Sequence, residues 1–166
     1  GNFLIKRVVY EIQEELPHIK NFGTLSPIPG FADWFTYLED VKIKNILGDL
    51  KDQDVSFLKL QNLKLGDSRI IKNKEAIIKL VAHYIVNEKN QQGLPINEVS
   101  RFHLGNGAIV DDIIVNANIS ETGFKRSFGV MVNYLYELKN IEKNHEDYMN
   151  NNKTTVSNKV KKYLNN

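Results

Sequence analysis

The spacing of apolar side chains changes along this chain, and that change restricts its fold more than any other feature. Residues 3–16 and much of 41–90 carry apolar side chains at intervals of three and four, the pattern of amphipathic helices. β-branched residues then cluster at 109–110 and 113–115, and 130–136 is a mostly apolar run typical of a buried strand. A chain of 166 residues with both patterns is predicted to form one α+β domain.

Proline and glycine mark where these segments end. Pro17 ends the first helix, and Gly93-Leu94-Pro95 ends the long helical section. We predict helices at 3–16, 31–39, within 41–90, at 139–150 and at 154–165, and strands near 21–25, within 109–115 and at 130–136. We take 1–166 as a single domain with a helical insert at about 41–90. Because the chain opens directly into a helix, we expect it to be part of a longer protein.

The charge balance and the lack of cysteine argue against several classes of function. The chain has 22 basic and 20 acidic residues, and a net charge of +2 does not indicate a nucleic-acid or membrane-surface partner. Zero cysteines exclude disulfides, thiol nucleophiles and cysteine-ligated zinc. No apolar run approaches the roughly 18 residues that a bilayer span needs. We therefore expect neither nucleic acid nor membrane as a partner.

The segment Ser26-Pro27-Ile28-Pro29-Gly30 presents a serine on a stiff backbone. The two prolines fix φ, and the residue before a proline is restricted to extended geometry. Such a segment holds a hydroxyl in one direction at little entropic cost. The sequence leaves two readings open: Ser26 is a catalytic hydroxyl, or it caps the helix predicted at 31–39.

The segment Phe102-His103-Leu104 presents a histidine beside a Gly-Asn-Gly turn. If the segment is a strand, the imidazole points opposite to both apolar neighbours and can face a cleft. The other reading is a hydrogen-bonded structural histidine before a turn. The remaining histidines have no partner at metal-ligand spacing, so the sequence predicts no metal site.

Five segments resemble the malonyl-CoA decarboxylase family in sequence and in order along the chain. They are residues 3–9, 14–18, 24–31, 101–108 and 129–138. The resemblance implies the C-terminal portion of a catalytic domain with a fold like the GNAT-type acetyltransferases, with a helical domain before it. It also implies conversion of malonyl-CoA to acetyl-CoA and carbon dioxide without a metal or organic cofactor.

The resemblance implies roles for individual residues. Ser26 and His103 match the family's proposed catalytic pair, with the serine orienting the malonyl group and the histidine donating or relaying a proton to C2. Gly1 and Asn2 match the end of a loop that wraps the CoA pyrophosphate. The residues expected to contact malonyl-CoA are Gly1, Asn2, Ser26, His103, Asn106 and Tyr136.

The chain also departs from the family's pattern. Gly105 stands where the family usually has glutamine, and Asp111-Asp112 stand where it usually has an Arg-Leu-Asn-Trp-like string. Two adjacent carboxylates would disfavour an anionic substrate if they faced it.

Other functions are compatible with the same residues. The chain could be another GNAT-fold acyltransferase, a non-catalytic module that binds acyl-CoA or an acyl carrier, or a helical interaction domain. A homo-oligomer is a possible assembly. The expected compartment is the cytoplasm of a bacterium or the matrix of an organelle.

Overall fold

The computed structural model describes residues 4–165. Its helices are α1 (Leu4–Glu15), α2 (Phe31–Tyr37), α3 (Asp40–Leu47), α4 (Ser68–Lys72), α5 (Lys74–Val86), α6 (Glu98–Gly105), α7 (Glu121–Ser127), α8 (Ile141–Asn151) and α9 (Asn158–Lys161). Its strands are β1 (Phe22–Ser26), β2 (Ile109–Ile114) and β3 (Met131–Tyr136), and short 3-10 helices cover Gly48–Leu50 and Ser56–Lys59. The mixed α and β composition expected from the apolar spacing is confirmed.

The three strands form one antiparallel sheet in the order β1-β3-β2. Ser26 lies opposite Val132 and Thr24 lies opposite Tyr134, so their side chains share one face of the sheet. The alternate residues of β3 on that face, Val132, Tyr134 and Tyr136, are all buried. This face of the sheet therefore belongs to the core.

Helix α5 crosses the centre of the core. Its apolar side chains are buried on nearly every side, and Tyr84 packs edge-on against Phe31 of α2. Phe31 also contacts Phe128 at the end of α7. The segment 41–90 thus supplies a central core helix as well as surface helices and turns.

The histidine segment is helical, which corrects the strand geometry considered for His103. Asn97 caps α6 by accepting a hydrogen bond from the backbone N–H of Ser100 at 2.9 Å. Ser100, His103 and Leu104 then fall on one buried face of the helix, at the spacing of three and four that a helix requires. The cap and this spacing outweigh the β-branched residues that follow.

The last predicted helix is also shorter than expected. Only Asn158–Lys161 is α-helical, because Ser157 caps the helix by accepting from the N–H of Val160. The residues before it run extended beside β2, where the N–H of Val110 donates to Thr155 and the N–H of Ser157 donates to Val110. One outer edge of the sheet is covered in this way.

Among residues 4–165, no helix has the length and apolar character needed to cross a membrane.

Candidate active site

Strand β1 and helix α6 bring Ser26 and His103 together, although the two residues are 77 positions apart in the chain. Ser26 Oγ lies 3.0 Å from His103 Nε2. Each residue is about 6% exposed, so the pair lies at the edge of the core rather than on the surface. The fold therefore joins the two residues that the sequence singled out.

The pair extends into a chain of four polar side chains. Ser26 Oγ donates to Thr24 Oγ1 at 3.2 Å, and on the other side His103 Nδ1 lies 2.6 Å from the hydroxyl of Tyr136. The imidazole stacks on the ring of Tyr134, with ring centroids 4.4 Å apart and an interplanar angle of 18°. His103 is thus held at both nitrogens and across one ring face.

The proline-rich segment explains how Ser26 is presented. Ser26 ends β1, and Ile28 anchors the following loop in the core. Helix α2 begins after Gly30, whose φ is +83° and which makes no side-chain cap. A Cβ at this glycine would lie 2.9 Å from the hydroxyl of Tyr84. Ser26 is therefore not the cap of α2, and that alternative is excluded.

Burial sets the protonation state of the site. It lowers the pKa of His103 to about 4. It raises the pKa of Tyr136 well above its usual range, with a smaller contribution from the neighbouring Tyr134. At neutral pH the imidazole is uncharged and carries a single N–H, and the phenol keeps its proton.

One placement of the imidazole proton fits all three of these hydrogen bonds, and it follows from the direction of the Ser26–Thr24 bond. Because the hydroxyl of Ser26 donates to Thr24, its oxygen is free to accept from Nε2–H of His103. Nδ1 then carries no proton and accepts from the hydroxyl of Tyr136. All three protons point in one direction, from the phenol through the imidazole to the serine. This arrangement can deliver a proton at the position of Ser26 Oγ.

The structure describes two of the four other residues predicted to contact the substrate, Asn106 and Tyr136. Gly1 and Asn2 are outside the described residues. Asn106 is buried at the end of α6, where its Nδ2 donates to the backbone carbonyl of Phe102 at 2.8 Å. Its Oδ1 is buried and has no hydrogen-bond partner within residues 4–165. Of the two additional candidates within residues 4–165, Tyr136 contacts His103 and Asn106 contacts neither member of the pair through its side chain.

The two adjacent acids point away from the pair. A β-bulge between Val110 and Asp112 places Asp111 out of register, and its Oδ2 accepts from Nδ2 of Asn133 at 3.1 Å. Asn133 alternates with the buried residues of β3, so it faces the other side of the sheet. The carboxylates of Asp111 and Asp112 also lie 3.9 and 3.6 Å from the ammonium of Lys159. Both carboxylates therefore lie on the side of the sheet away from Ser26.

Thr24 and Tyr134 belong to the site but were missed in the sequence. The period of two along each strand could have found them, because Thr24 precedes Ser26 by two residues and Tyr134 precedes Tyr136 by two. No group of three or more histidine, aspartate or glutamate side chains within residues 4–165 is arranged to hold a metal ion.

A family model, curated relatives and solved structures all match this chain to the same family. A family model described as the malonyl-CoA decarboxylase C-terminal domain matches residues 1–166. The mitochondrial malonyl-CoA decarboxylase of Rattus norvegicus is 33% identical over 96% of this chain, and that of Anser anser anser is 32% identical over 99%. The chain spans only 36% of the length of each of these relatives.

Solved structures show the same likeness. The crystal structure of malonyl-CoA decarboxylase from Cupriavidus metallidurans matches with a TM-score of 0.83 and 35% identity, covering 99% of this chain and 43% of that one. The structure from Rhodopseudomonas palustris matches with a TM-score of 0.80 and 37% identity, covering 98% of this chain and 37% of that one.

Proposed function

The chain belongs to the malonyl-CoA decarboxylase family, and from this we propose that it carries the catalytic Ser26 and His103 of an enzyme that converts malonyl-CoA to acetyl-CoA and carbon dioxide. The observation that carries the proposal is the 3.0 Å contact between Ser26 Oγ and His103 Nε2, extended by Tyr136. We further propose that residues 1–166 are the C-terminal part of the catalytic domain, with a helical insert at about 41–90.

The reaction sets three requirements. The bond between C2 and the carboxyl carbon breaks, carbon dioxide leaves, and its bonding electron pair moves into the thioester as an enolate. The enolate oxygen needs stabilisation, and C2 must then take up one proton. Because the thioester carbonyl itself accepts the electron pair, the proposal involves no metal or organic cofactor.

Ser26 is assigned the orienting role. Its hydroxyl turns from Thr24 to the malonyl carboxylate or carbonyl, and the proline-fixed loop keeps its oxygen in place. The departing carbon dioxide needs no covalent help, so the serine is not required as a nucleophile. The carboxylate held out of the thioester plane is the geometry from which the carbon–carbon bond breaks.

His103 is assigned the proton transfer. Its Nε2–H points towards Ser26 Oγ, and with the malonyl group held beside that oxygen the proton moves from Nε2 to C2. The hydroxyl proton of Tyr136 moves to Nδ1, so that the imidazole stays neutral and the phenolate is reprotonated from solvent. The direction of the three protons in the free site is the one this transfer needs.

The rest of the substrate is assigned to neighbouring segments. We propose that Gly1 and Asn2 contact the CoA pyrophosphate and that Asn106 lies near the acyl group. The antiparallel β1-β3-β2 sheet, with α5 and α6 against it, supports a GNAT-type domain. A structure of the full-length protein with a CoA thioester bound would test these assignments together.

The partners and the compartment follow from the same proposal. Malonyl-CoA is the proposed partner, without nucleic acid or membrane, and a homo-oligomer is a proposed assembly. Since the curated relatives are named mitochondrial and the solved ones come from bacteria, we propose the bacterial cytoplasm or an organelle matrix as the compartment.

Release of carbon dioxide from malonyl-CoA by the full-length protein tests the function. We expect Ser26→Ala and His103→Asn each to lower kcat by about 100- to 1,000-fold, since each removes a group that acts on the developing charge or proton. Binding of CoA, measured by calorimetry, should change little, because the proposal assigns both side chains to the malonyl group and neither to the nucleotide.

Three results would contradict the proposal. Near-normal turnover in either variant would remove that residue from the mechanism. Tight binding of malonyl-CoA without release of carbon dioxide in the unmodified protein would favour a binding module instead, and release only in the presence of an amine acceptor would favour an acyltransferase.

A further inference from the structure

Asn97 connects the segment that follows the serine with the helix that carries the histidine. It is 2% exposed, and its Nδ2 donates to the backbone carbonyl of Pro29 at 2.9 Å. Its Oδ1 accepts from the backbone N–H of Ser100 at 2.9 Å and from the hydroxyl of Ser100 at 3.1 Å. One buried amide thus bonds to the proline-rich loop on one side and to α6 on the other.

These bonds fix the orientation of the amide. If Nδ2 and Oδ1 exchanged places, Nδ2 would face the N–H of Ser100 and Oδ1 would face the carbonyl of Pro29. Since the hydroxyl of Ser100 donates to Asn97, its oxygen accepts from the hydroxyl of Tyr134 at 2.7 Å. Tyr134 is the ring on which His103 stacks. The network therefore ends at the catalytic imidazole.

We propose that Asn97 is a positioning residue that sets the distance and angle between Ser26 and His103; the kinetic part of this inference rests on the proposed decarboxylase function. On the serine side, Pro29 follows Ser26 by three residues, two of them prolines with fixed φ, so fixing the Pro29 carbonyl fixes Ser26. On the histidine side, Asn97 begins the helix whose last turn holds His103.

An ordinary helix cap does not need this arrangement. Asp, Ser and Thr cap helices about as well as Asn, because only a side-chain oxygen is required. The Nδ2 donor serves the Pro29 carbonyl and the neighbouring hydroxyl of Tyr84, and nothing in α6. Pro29 O receives only one other hydrogen bond among the described residues, from Tyr84 at 3.2 Å. The donor half of Asn97 is therefore the part that ties the two catalytic segments together.

The variant Asn97→Asp separates capping from positioning. Asp keeps the oxygen for Ser100 but replaces the donor to Pro29 with a second acceptor, which repels the carbonyl. Asn97→Ser also keeps a cap and is too short to bridge to the loop, so it serves if the aspartate variant does not fold. Asn73→Asp is the matched control: Asn73 is 8% exposed and donates to the carbonyl of Arg69 within its own segment.

Steady-state kinetics of the full-length protein with malonyl-CoA provide the first readout. We expect Asn97→Asp to lower kcat by about 10- to 100-fold through misplacement of the reacting groups, with KM changed by less than about twofold. In a Ser26→Ala background the same substitution should have little further effect, because the group it positions is gone. Asn73→Asp should keep the kcat of the unmodified protein.

The second readout does not depend on activity. In protein labelled with nitrogen-15 at histidine, we expect Asn97→Asp or Asn97→Ser to shift the Nε2 resonance of His103, because its contact with Ser26 changes. Asn73→Asp should leave that resonance in place. If Ser26→Ala and His103→Asn prove active, the proposed function fails while this readout still tests the position of the imidazole.

The inference is overturned if Asn97→Asp and Asn97→Ser fold with an unchanged His103 resonance and an unchanged kcat. It is also overturned if kcat falls equally in the presence and absence of the Ser26 hydroxyl, since Asn97 would then act on something else. A large rise in KM with unchanged kcat would assign Asn97 to substrate binding instead.

Discussion

The imidazole of His103 is fixed by three neighbours that do different things. Ser26 contacts Nε2, Tyr136 contacts Nδ1, and the ring of Tyr134 supports the flat face. Burial lowers the pKa of His103 to about 4, so these contacts hold a neutral ring at physiological pH. A neutral ring with a proton at Nε2 is what the proposed transfer to C2 requires.

The role of the Tyr136 hydroxyl in proton transfer can be tested by removing its oxygen. We expect Tyr136→Phe to lower kcat by about 100-fold, because Nδ1 loses the donor that supplies its proton. KM for malonyl-CoA should change little, since Tyr136 acts through His103. Steady-state kinetics with malonyl-CoA measure both quantities.

Tyr148→Phe is the matched control for this variant. Tyr148 is also buried, at 4% exposure, but its hydroxyl has no hydrogen-bond partner within residues 4–165. Its removal should leave kcat unchanged. A rise in KM rather than a fall in kcat for Tyr136→Phe would show that Tyr136 binds the substrate directly.

At the scale of elements, α6 shows that a helix cap can outweigh the strand propensity of the residues that follow it. The segment precedes a β-branched strand, yet the side chain of Asn97 caps a helix and places His103 on its buried face. The helix then ends at a tight turn in which Gly107 has φ of +86°. The turn directs the chain into β2 beside the same face of the sheet.

The turn after α6 should be intolerant of a side chain. A Cβ at Gly107 would lie 2.3 Å from the backbone oxygen of Ile141, and the positive φ adds strain. We expect Gly107→Ala to lower the free energy of unfolding by about 3 kcal/mol or more, from the clash together with the strain. Urea denaturation followed by circular dichroism measures the change.

Gly66 offers a comparison with the same backbone strain and no clash. Its φ is +77°, and a Cβ there meets no atom within 4 Å. Gly66→Ala should therefore cost only about 1–2 kcal/mol. Equal losses at the two glycines would show that the contact with Ile141 relaxes freely and does not restrict the turn.

At the scale of the whole molecule, the site depends on packing between parts that are distant in the chain. Helix α5, from the segment 41–90, places Tyr84 against the carbonyl of Pro29, next to the donor from Asn97. The serine loop is thus held by the core on one side and by α6 on the other. Global unfolding and loss of the site are expected to coincide.

The buried histidine links this global stability to pH. The pKa of His103 is about 4 in the folded chain and about 6.5 when unfolded, so the unfolded state binds more protons between these values. The contribution of His103 to the free energy of unfolding is therefore constant above about pH 6.5 and is lost progressively as the pH falls to about 4. The stability of the unmodified protein should fall across this window.

The variant His103→Asn isolates this effect from the other titrating groups. We expect the difference in unfolding free energy between the unmodified protein and the variant to change between about pH 6.5 and 4 and to be flat from about pH 7 to 8. Urea titrations at several pH values measure it. A difference that is independent of pH would mean that His103 is no harder to protonate in the folded chain than in the unfolded one.

Much of the fold could be predicted from local patterns. The helix beginning near residue 4, the strands around 22–26 and 131–136, and the helix at 141–151 follow from apolar spacing and from Pro17. The extended stretch 154–157 could not, because it is stabilised by hydrogen bonds to β2 rather than by its own residues.

The sequence by itself determined two groups of the candidate site: a serine on a proline-fixed loop and a histidine beside a glycine turn. Only the tertiary structure decided how close these side chains lie to each other. Residues distant in the chain are joined by the Ser26–His103 contact, the Tyr136 contact and the bridge through Asn97. The tertiary structure also decided that Asp111 and Asp112 face away, through a bulge that depends on the pairing of β2 with β3. Local propensity fixes backbone conformation, whereas distances between remote side chains depend on how the elements pack.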